Sequence, residues 1–168
     1  YKIDTMSQVI DDTTFIGGYE SKHMTMIENI SRLSYSMYLN EEAYNALKQM
    51  YDDLYKNTKK RFLVTSAYKS YDVLNLEENT SQAGYSEFQL GTSVSLKVNG
   101  IKDVEFVSTD VYQWLLEHSY EYGYVLRYPS DKVTITQKES CNIFRYVGKE
   151  NAQKMHNQNL CLEELNNQ

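Results

Sequence analysis

The chain has 168 residues, a net charge of −6, 41% hydrophobic and 24% charged residues. That is the length of one domain with enough apolar side chains for a core, which excludes a disordered or fibrous chain. Its 17 Lys and Arg residues are outnumbered by 23 acidic ones and form no dense block, which excludes nucleic acid as a partner, because such a surface repels phosphate.

No apolar run reaches the length that spans a bilayer. The sequence begins at Tyr1 and not Met, so it is expected to be a trimmed or processed product, with any signal peptide or membrane anchor outside this segment. Cys141 and Cys161 are the two cysteines; the count permits one disulfide or two buried free thiols. Sixteen tyrosines suit a surface that stacks on sugars or peptides, and equally an ordinary core or interface.

In chain order, residues 1–40 are polar, with Gly17-Gly18 as a turn and Met24, Ile27, Ile30 and Leu33 spaced for a short helix. From Asn40 the pattern is helical: Ala43, Tyr44, Leu47, Met50, Tyr51, Leu54 and Tyr55 share one face. Asn40 suits the N-cap, and Glu41 and Glu42 favour the first turn. Lys59, Lys60 and Arg61 complement the dipole at its far end. Phe62–Thr65 reads as a short buried strand. Residues 92–98 alternate, with Val94, Leu96 and Val98 toward the core and Ser93, Ser95 and Lys97 on an open face. A helix follows, capped by Ser108 or Thr109, with Val111, Trp114 and Leu115 inward and Gly123 as its stop. Residues 144–147 form a strand ending at Gly148, and a last helix carries Ala152 and Met155, followed by Leu160, Leu162 and Leu165. Strands this short and close leave no room for regular βαβ crossovers, so the fold class is α+β, a small antiparallel sheet flanked by helices.

Five fragments, in order, carry a resemblance. Ser66-Ala67-Tyr68-Lys69-Ser70-Tyr71 is similar to S-G-Y-R-S-Y, and Ser86-Glu87-Phe88-Gln89-Leu90-Gly91 continuing to Ser95 to S-E-H-Q-x-G-x-x-x-D. Trp114-Leu115 with Tyr122-Gly123-Tyr124-Val125-Leu126-Arg127-Tyr128-Pro129 is similar to W-L followed by Y-G-F-x-L-R-Y-P. Arg145-Tyr146-Val147-Gly148 matches the tail of E-P-W-H-x-R-Y-V-G, and Leu160-Cys161-Leu162-Glu163-Glu164-Leu165 is similar to L-x-L-E-E-Y. From about residue 40 to the end, the chain resembles the VanY-type D-alanyl-D-alanine carboxypeptidases of bacterial cell walls. Residues 41–168 are then a carboxypeptidase-like domain, and residues 1–40 an N-terminal extension or packing segment.

The resemblance implies a zinc held by two histidines and an aspartate, with a position left for water, and a glutamate that shuttles its proton. On this sequence the first histidine falls on Phe88 and the aspartate on Ser95. Counting back from Arg145 places the second histidine on Ile143 and the glutamate on Ser140; a one-residue shift places them on Asn142 and Glu139. Neither register supplies a histidine, so zinc is expected of the family but not supported by these residues, and no cofactor is expected. The three histidines, His23, His118 and His156, show no ligand spacing. His118 is expected to pack or cap locally and His156 to lie on an exposed helix end, while Cys141 reads as a small buried hydrophobe. Ser95 and Ser140 lack a neighbouring base to make either a nucleophile.

By the same resemblance Tyr68, Lys69 and Ser86 are the substrate-binding candidates, with Lys69 keeping the charge but not the bidentate grip of the family arginine. Three readings follow. The first is a catalytically inactive domain in the bacterial envelope or extracellular space that binds a peptidoglycan stem peptide. The second is a module for another envelope protein, its cleft plugged by Phe88, Leu74 and Ile143. The third is an active D-Ala-D-Ala carboxypeptidase with non-standard metal ligands.

Overall fold

The structure, a computed structural model, describes residues 3–77 and 83–168; Tyr1 lies outside them. In chain order the strands and helices are β1 (Met24–Met26), β2 (Tyr38–Asn40), α1 (Glu41–Thr58), β3 (Leu63–Ser66), α2 (Tyr71–Leu76), β4 (Ser93–Lys97), α3 (Asp103–Phe106), α4 (Asp110–His118), β5 (Tyr124–Tyr128), α5 (Val133–Thr136), β6 (Ser140–Tyr146), α6 (Lys149–Gln158) and α7 (Leu162–Asn166). This is the expected α+β class, with an antiparallel four-stranded sheet in the order β3-β4-β6-β5.

The α1 helix starts where its sequence says it should. Asn40 Oδ1 accepts from Ala43 N at 3.2 Å, satisfying one of the orphan amides of the first turn. Its inward face, Ala43, Leu47, Met50, Tyr51 and Leu54, is buried against one face of the sheet, where Val94, Leu96, Tyr124 and Phe144 are wholly covered. Thr109, not Ser108, caps α4, accepting from Tyr112 N at 3.1 Å, and Val111, Trp114 and Leu115 join the same core. Gly123 ends the following 3-10 turn (Ser119–Tyr122) in the left-handed region at φ 86°. A Cβ there would stand 2.7 Å from the Tyr146 ring and 3.0 Å from the Gly148 backbone, so only glycine fits.

Residues 24–33 depart from the expected helix. Met24–Met26 pairs with Tyr38–Asn40 as an antiparallel ribbon, Asn29 sits at φ 59°, and residues 31–33 lie along the outer edge of β3. There Leu33 N donates to Val64 O at 2.9 Å and Val64 N to Ser31 O at 2.8 Å. Leu33 itself is exposed and not inward. Apolar residues three apart fit a helix face, but here Ile27 and Ile30 are buried by extended chain that satisfies its amides on β3 and β2. Among the described residues no helix is long and apolar enough to cross a membrane, and both cysteines are free thiols.

Candidate functional site

The second face of the sheet builds the site. Ser93 pairs with Arg145 and Ser95 with Ile143 across β4 and β6; opposed residues of an antiparallel pair share a face, and so do residues two apart along a strand. Ser93, Ser95, Ile143 and Arg145 therefore project to one side, opposite the hydrophobic core. This face is not open along its length, as alternation alone predicts: Ser93 is fully buried. A 3-10 turn, Glu87–Leu90, closes over it. Ser86 Oγ caps that turn by accepting from Phe88 N at 3.2 Å, and Gly91 ends it at φ 77°.

Between the turn and β6 lies a cavity of about 260 Å³ lined by Ser86, Glu87, Phe88, Tyr128, Lys138, Glu139, Ser140 and Ile143. Phe88, Ser140 and Ile143 thus converge, with Ser95 on the strand beside Ile143. Of the two registers, Ile143 and Ser140 of the gap-free one line the cavity, and so does Glu139 of the shifted one, while Asn142 is turned aside, its Nδ2 donating to Leu96 O at 2.8 Å. Leu74 is buried in α2 and is not part of the lining, so Phe88 and Ile143 form a wall and not a plug.

The three proposed substrate contacts do not sit together. Ser86 lines this cavity, whereas Tyr68 and Lys69 line a neighbouring groove with Tyr38, Ser66, Ser70 and Val73. Lys69 marks the divide between the two. Its amide donates to Phe88 O at 3.1 Å, its ammonium lies 5.8 Å from the Phe88 ring centroid, and it pairs with Glu77 at 3.0 Å. Burial first, and then the charge of Glu20, raises the Tyr68 phenol above its ordinary value. The cation inside the cavity is Lys138, which sequence reasoning passed over; it is 3.4 Å from Asp12. Tyr128 stays a neutral hydroxyl, since burial and then the Glu87 charge push its phenol up.

Beneath the cavity floor is a buried ion cluster that sequence reasoning also missed. Glu87 receives Arg127 Nε at 2.6 Å, Arg145 Nη1 at 2.9 Å and Ser93 Oγ at 2.9 Å. Arg127 reaches on to Glu163, and Arg145 Nη2 donates to Thr5 O and Gln8 O at 2.9 and 3.0 Å. Burial opposes the Glu87 charge, but the guanidinium groups of Arg145 and Arg127 outweigh it and hold the carboxyl below its ordinary value. A signal existed in the sequence: Glu87, Arg127 and Arg145 all lie inside the five motif fragments, and charges packed among strand residues need partners.

The histidines are placed elsewhere. His118 packs on Trp114 at 4.9 Å between ring centroids and meets Glu121 at 3.1 Å. His156 stacks on Tyr120 at 3.7 Å, and His23 lies in the left-handed region beside β1. Cys141 is half-buried and lines a further groove with Tyr112, Leu126 and Tyr128.

Residues 73–149 match the family profile described as VanY: D-alanyl-D-alanine carboxypeptidase. The chain belongs to the VanY family. A D-alanyl-D-alanine carboxypeptidase of Enterococcus faecium is 32% identical over 152 residues, covering 86% of this chain and 49% of that protein. One from Enterococcus faecalis is 45% identical over 86 residues, covering 50% of this chain and 31% of that protein; the VanY-type chain therefore spans half or less of these relatives. Among solved structures, an LdcB LD-carboxypeptidase described for its peptidoglycan recognition superposes with a TM-score of 0.84 at 28% identity, covering 94% of this chain and 84% of that one.

A zinc site of the VanY type does not fit the side chains present. A phenyl ring at 88 and an alkyl chain at 143 have no lone pair to donate, and the neutral hydroxyl of Ser95 is a poor zinc ligand. Among the described residues no cluster of three His, Cys, Asp or Glu side chains could hold a metal.

Proposed function

We propose that this VanY-type domain binds the peptide stem of peptidoglycan in the envelope of a bacterium without hydrolysing it. The reading rests on one observation. Phe88, Ser140 and Ile143 meet at an open cavity with Ser95 beside them, so the recognition space is kept while the donors for a metal are replaced. Sequence and fold likeness to D-alanyl-D-alanine carboxypeptidases and to an LD-carboxypeptidase described for its peptidoglycan recognition supports that ligand class.

The lining suits a peptide terminus. Phe88 and Ile143 offer an apolar wall for a methyl side chain, and the hydroxyls of Ser86, Tyr128 and Ser140 offer hydrogen bonds. Lys138 can turn from Asp12, which is 85% exposed, to meet a terminal carboxylate, because an exposed ion pair gives up little on parting. The groove of Tyr38, Tyr68 and Lys69, about 470 Å³, continues on the far side of Phe88 and accommodates the residues that precede the terminus.

Calorimetric titration with a pentapeptide stem ending in D-Ala-D-Ala, alongside a D-Ala release assay and zinc analysis of the purified protein, tests the reading. Expected are saturable binding, no released D-Ala and substoichiometric zinc. Chelator-sensitive release of D-Ala with one zinc per chain would establish an active enzyme with unusual ligands. Absence of binding at millimolar peptide would leave a protein-interaction module.

A further inference from the structure

Residues 11–17 run past the cavity and touch both of its walls. Asp11 shapes the stretch into a tight turn, its Oδ1 accepting from the amides of Thr13 and Thr14, both at 2.8 Å. On the side of the 3-10 turn the fastening is firm. Ile16 N donates to Gly84 O at 2.8 Å, Gln89 holds the carbonyls of Gly17 and Tyr19, and the Phe15 ring lies 4.9 Å from that of Tyr85. The same ring fills the place where a Cβ on Gly84 would stand. Toward β6 the fastening is light, the pair of Asp12 with Lys138 at 3.4 Å. Asp12 stands outside the lining, but its partner is inside: of the residues that line the cavity, Lys138 alone is positive, while Glu87 and Glu139 are negative. Glu87 is matched by Arg127 and Arg145, whereas Glu139 is exposed. With Asp12 in place Lys138 is neutralised, and the charge left facing the cavity is that of Glu139.

We infer that Asp12 is an internal competitor for the carboxylate terminus of the ligand: seated on Lys138 it holds the cavity in a weakly binding state, and a peptide engages that cation only by displacing it. The inference rests on the stem-peptide reading above. A side-chain carboxylate and a terminal carboxylate carry the same charge and accept the same hydrogen bonds. One ammonium therefore cannot neutralise both, and two carboxylates crowded at one cation repel each other. The stretch stays in place when Asp12 lets go, because its other fixtures are the contacts around Gly84 and Gln89. Competition is thus confined to one side chain. The pair it breaks is an exposed one, which sets the scale at about a two- to fivefold change in affinity.

The test is a double-mutant cycle of Asp12→Asn and Lys138→Met in the full chain, read by calorimetry with two stem pentapeptides, one ending in a free carboxylate and one in a carboxamide. Asp12→Asn keeps the turn, which Asp11 holds, and removes only a charge. It is expected to tighten binding of the acid peptide by about two- to fivefold and to leave that of the amide peptide as it is in the wild type. In the Lys138→Met background the same substitution is expected to change neither affinity, because the ammonium it competes for is gone. Equal affinity for the acid peptide with and without Asp12→Asn overturns the inference. So does weaker binding by that variant, which would make Asp12 a residue that orients Lys138 for the ligand. A gain that persists without Lys138, or that extends to the amide peptide, overturns it too, as general repulsion between an acidic surface and an anionic peptide. Wild-type binding with no gain on Asp12→Asn thus defeats this inference alone, whereas no binding by any of the four chains at millimolar peptide defeats the stem-peptide reading and the inference with it.

Discussion

Glu87 is withdrawn almost wholly from water, and a carboxylate so placed stays ionised only while its two arginines face it. Its folded-state value lies below the ordinary 4.5, so between the two values the unfolded chain binds the proton and the folded chain does not. The stabilisation is complete above about pH 4.5 and is lost as pH falls through the lower folded value. Urea unfolding free energy is therefore expected to drop on acidification below that point, and Glu87→Gln to flatten the dependence. At neutral pH the same substitution is expected to cost about 3–5 kcal/mol, because it leaves two buried guanidinium groups short of a counter-charge; a wild-type-like urea midpoint would refute this. Motif spacing singled out Phe88, Ser140 and Ile143, which line the cavity, and Ser95, which lies beside Ile143 on the next strand. Arg127 and Arg145 lie inside the quoted fragments, but their meeting at Glu87 was not legible, since partners 40 and 58 positions away in sequence leave no local mark of the pairing. Lys138 escaped for a similar reason: it enters the cavity from just before β6, outside every quoted fragment.

At the scale of elements, what could be read was what local rules govern. The period and cap of α1, the Thr109 cap of α4 and the alternation of β4 all follow from nearest-neighbour chemistry. Residues 24–33 failed because their amides are satisfied by β2 and β3, far along the chain, and spacing alone cannot report that. The short helices α2, α3 and α5 span 4–6 residues, too few for a period to show. Where an element stops can be tested at Gly123, whose positive φ and contact with the Tyr146 ring tie the end of the 3-10 turn to β6. Gly123→Ala is expected to lose about 2 kcal/mol or more, from left-handed strain and crowding together. Chemical denaturation measures it, and a loss below a few tenths would show that the turn relaxes freely.

For the whole molecule, the first forty residues are joined to the rest by more than proximity. Gln89 Nε2 donates to the carbonyls of Gly17 and Tyr19, and Ile10 and Ile16 bury Leu90 between them. Arg145 takes two more carbonyls from residues 5 and 8. The resemblance began only at about residue 40, so this part of the fold was illegible: its fixtures are backbone carbonyls, which any residue supplies. A chain starting at residue 23 strands the Gln89 amide and one arginine nitrogen without acceptors, at about 1–3 kcal/mol each. Its thermal midpoint is expected to fall by about 10 °C; an unchanged melt would show that the segment is dispensable.

Near its other end the chain meets the beginning again. Asn166 Nδ2 donates to Ser7 O at 2.7 Å, and Glu163 holds Arg127 from α7. Head and tail are thus sutured side by side. A pull applied through sequences fused to both would load that seam and, through Arg127 on β5 and Arg145 on β6, which hold Glu163 and the carbonyls of Thr5 and Gln8, would reach the strands behind the cavity.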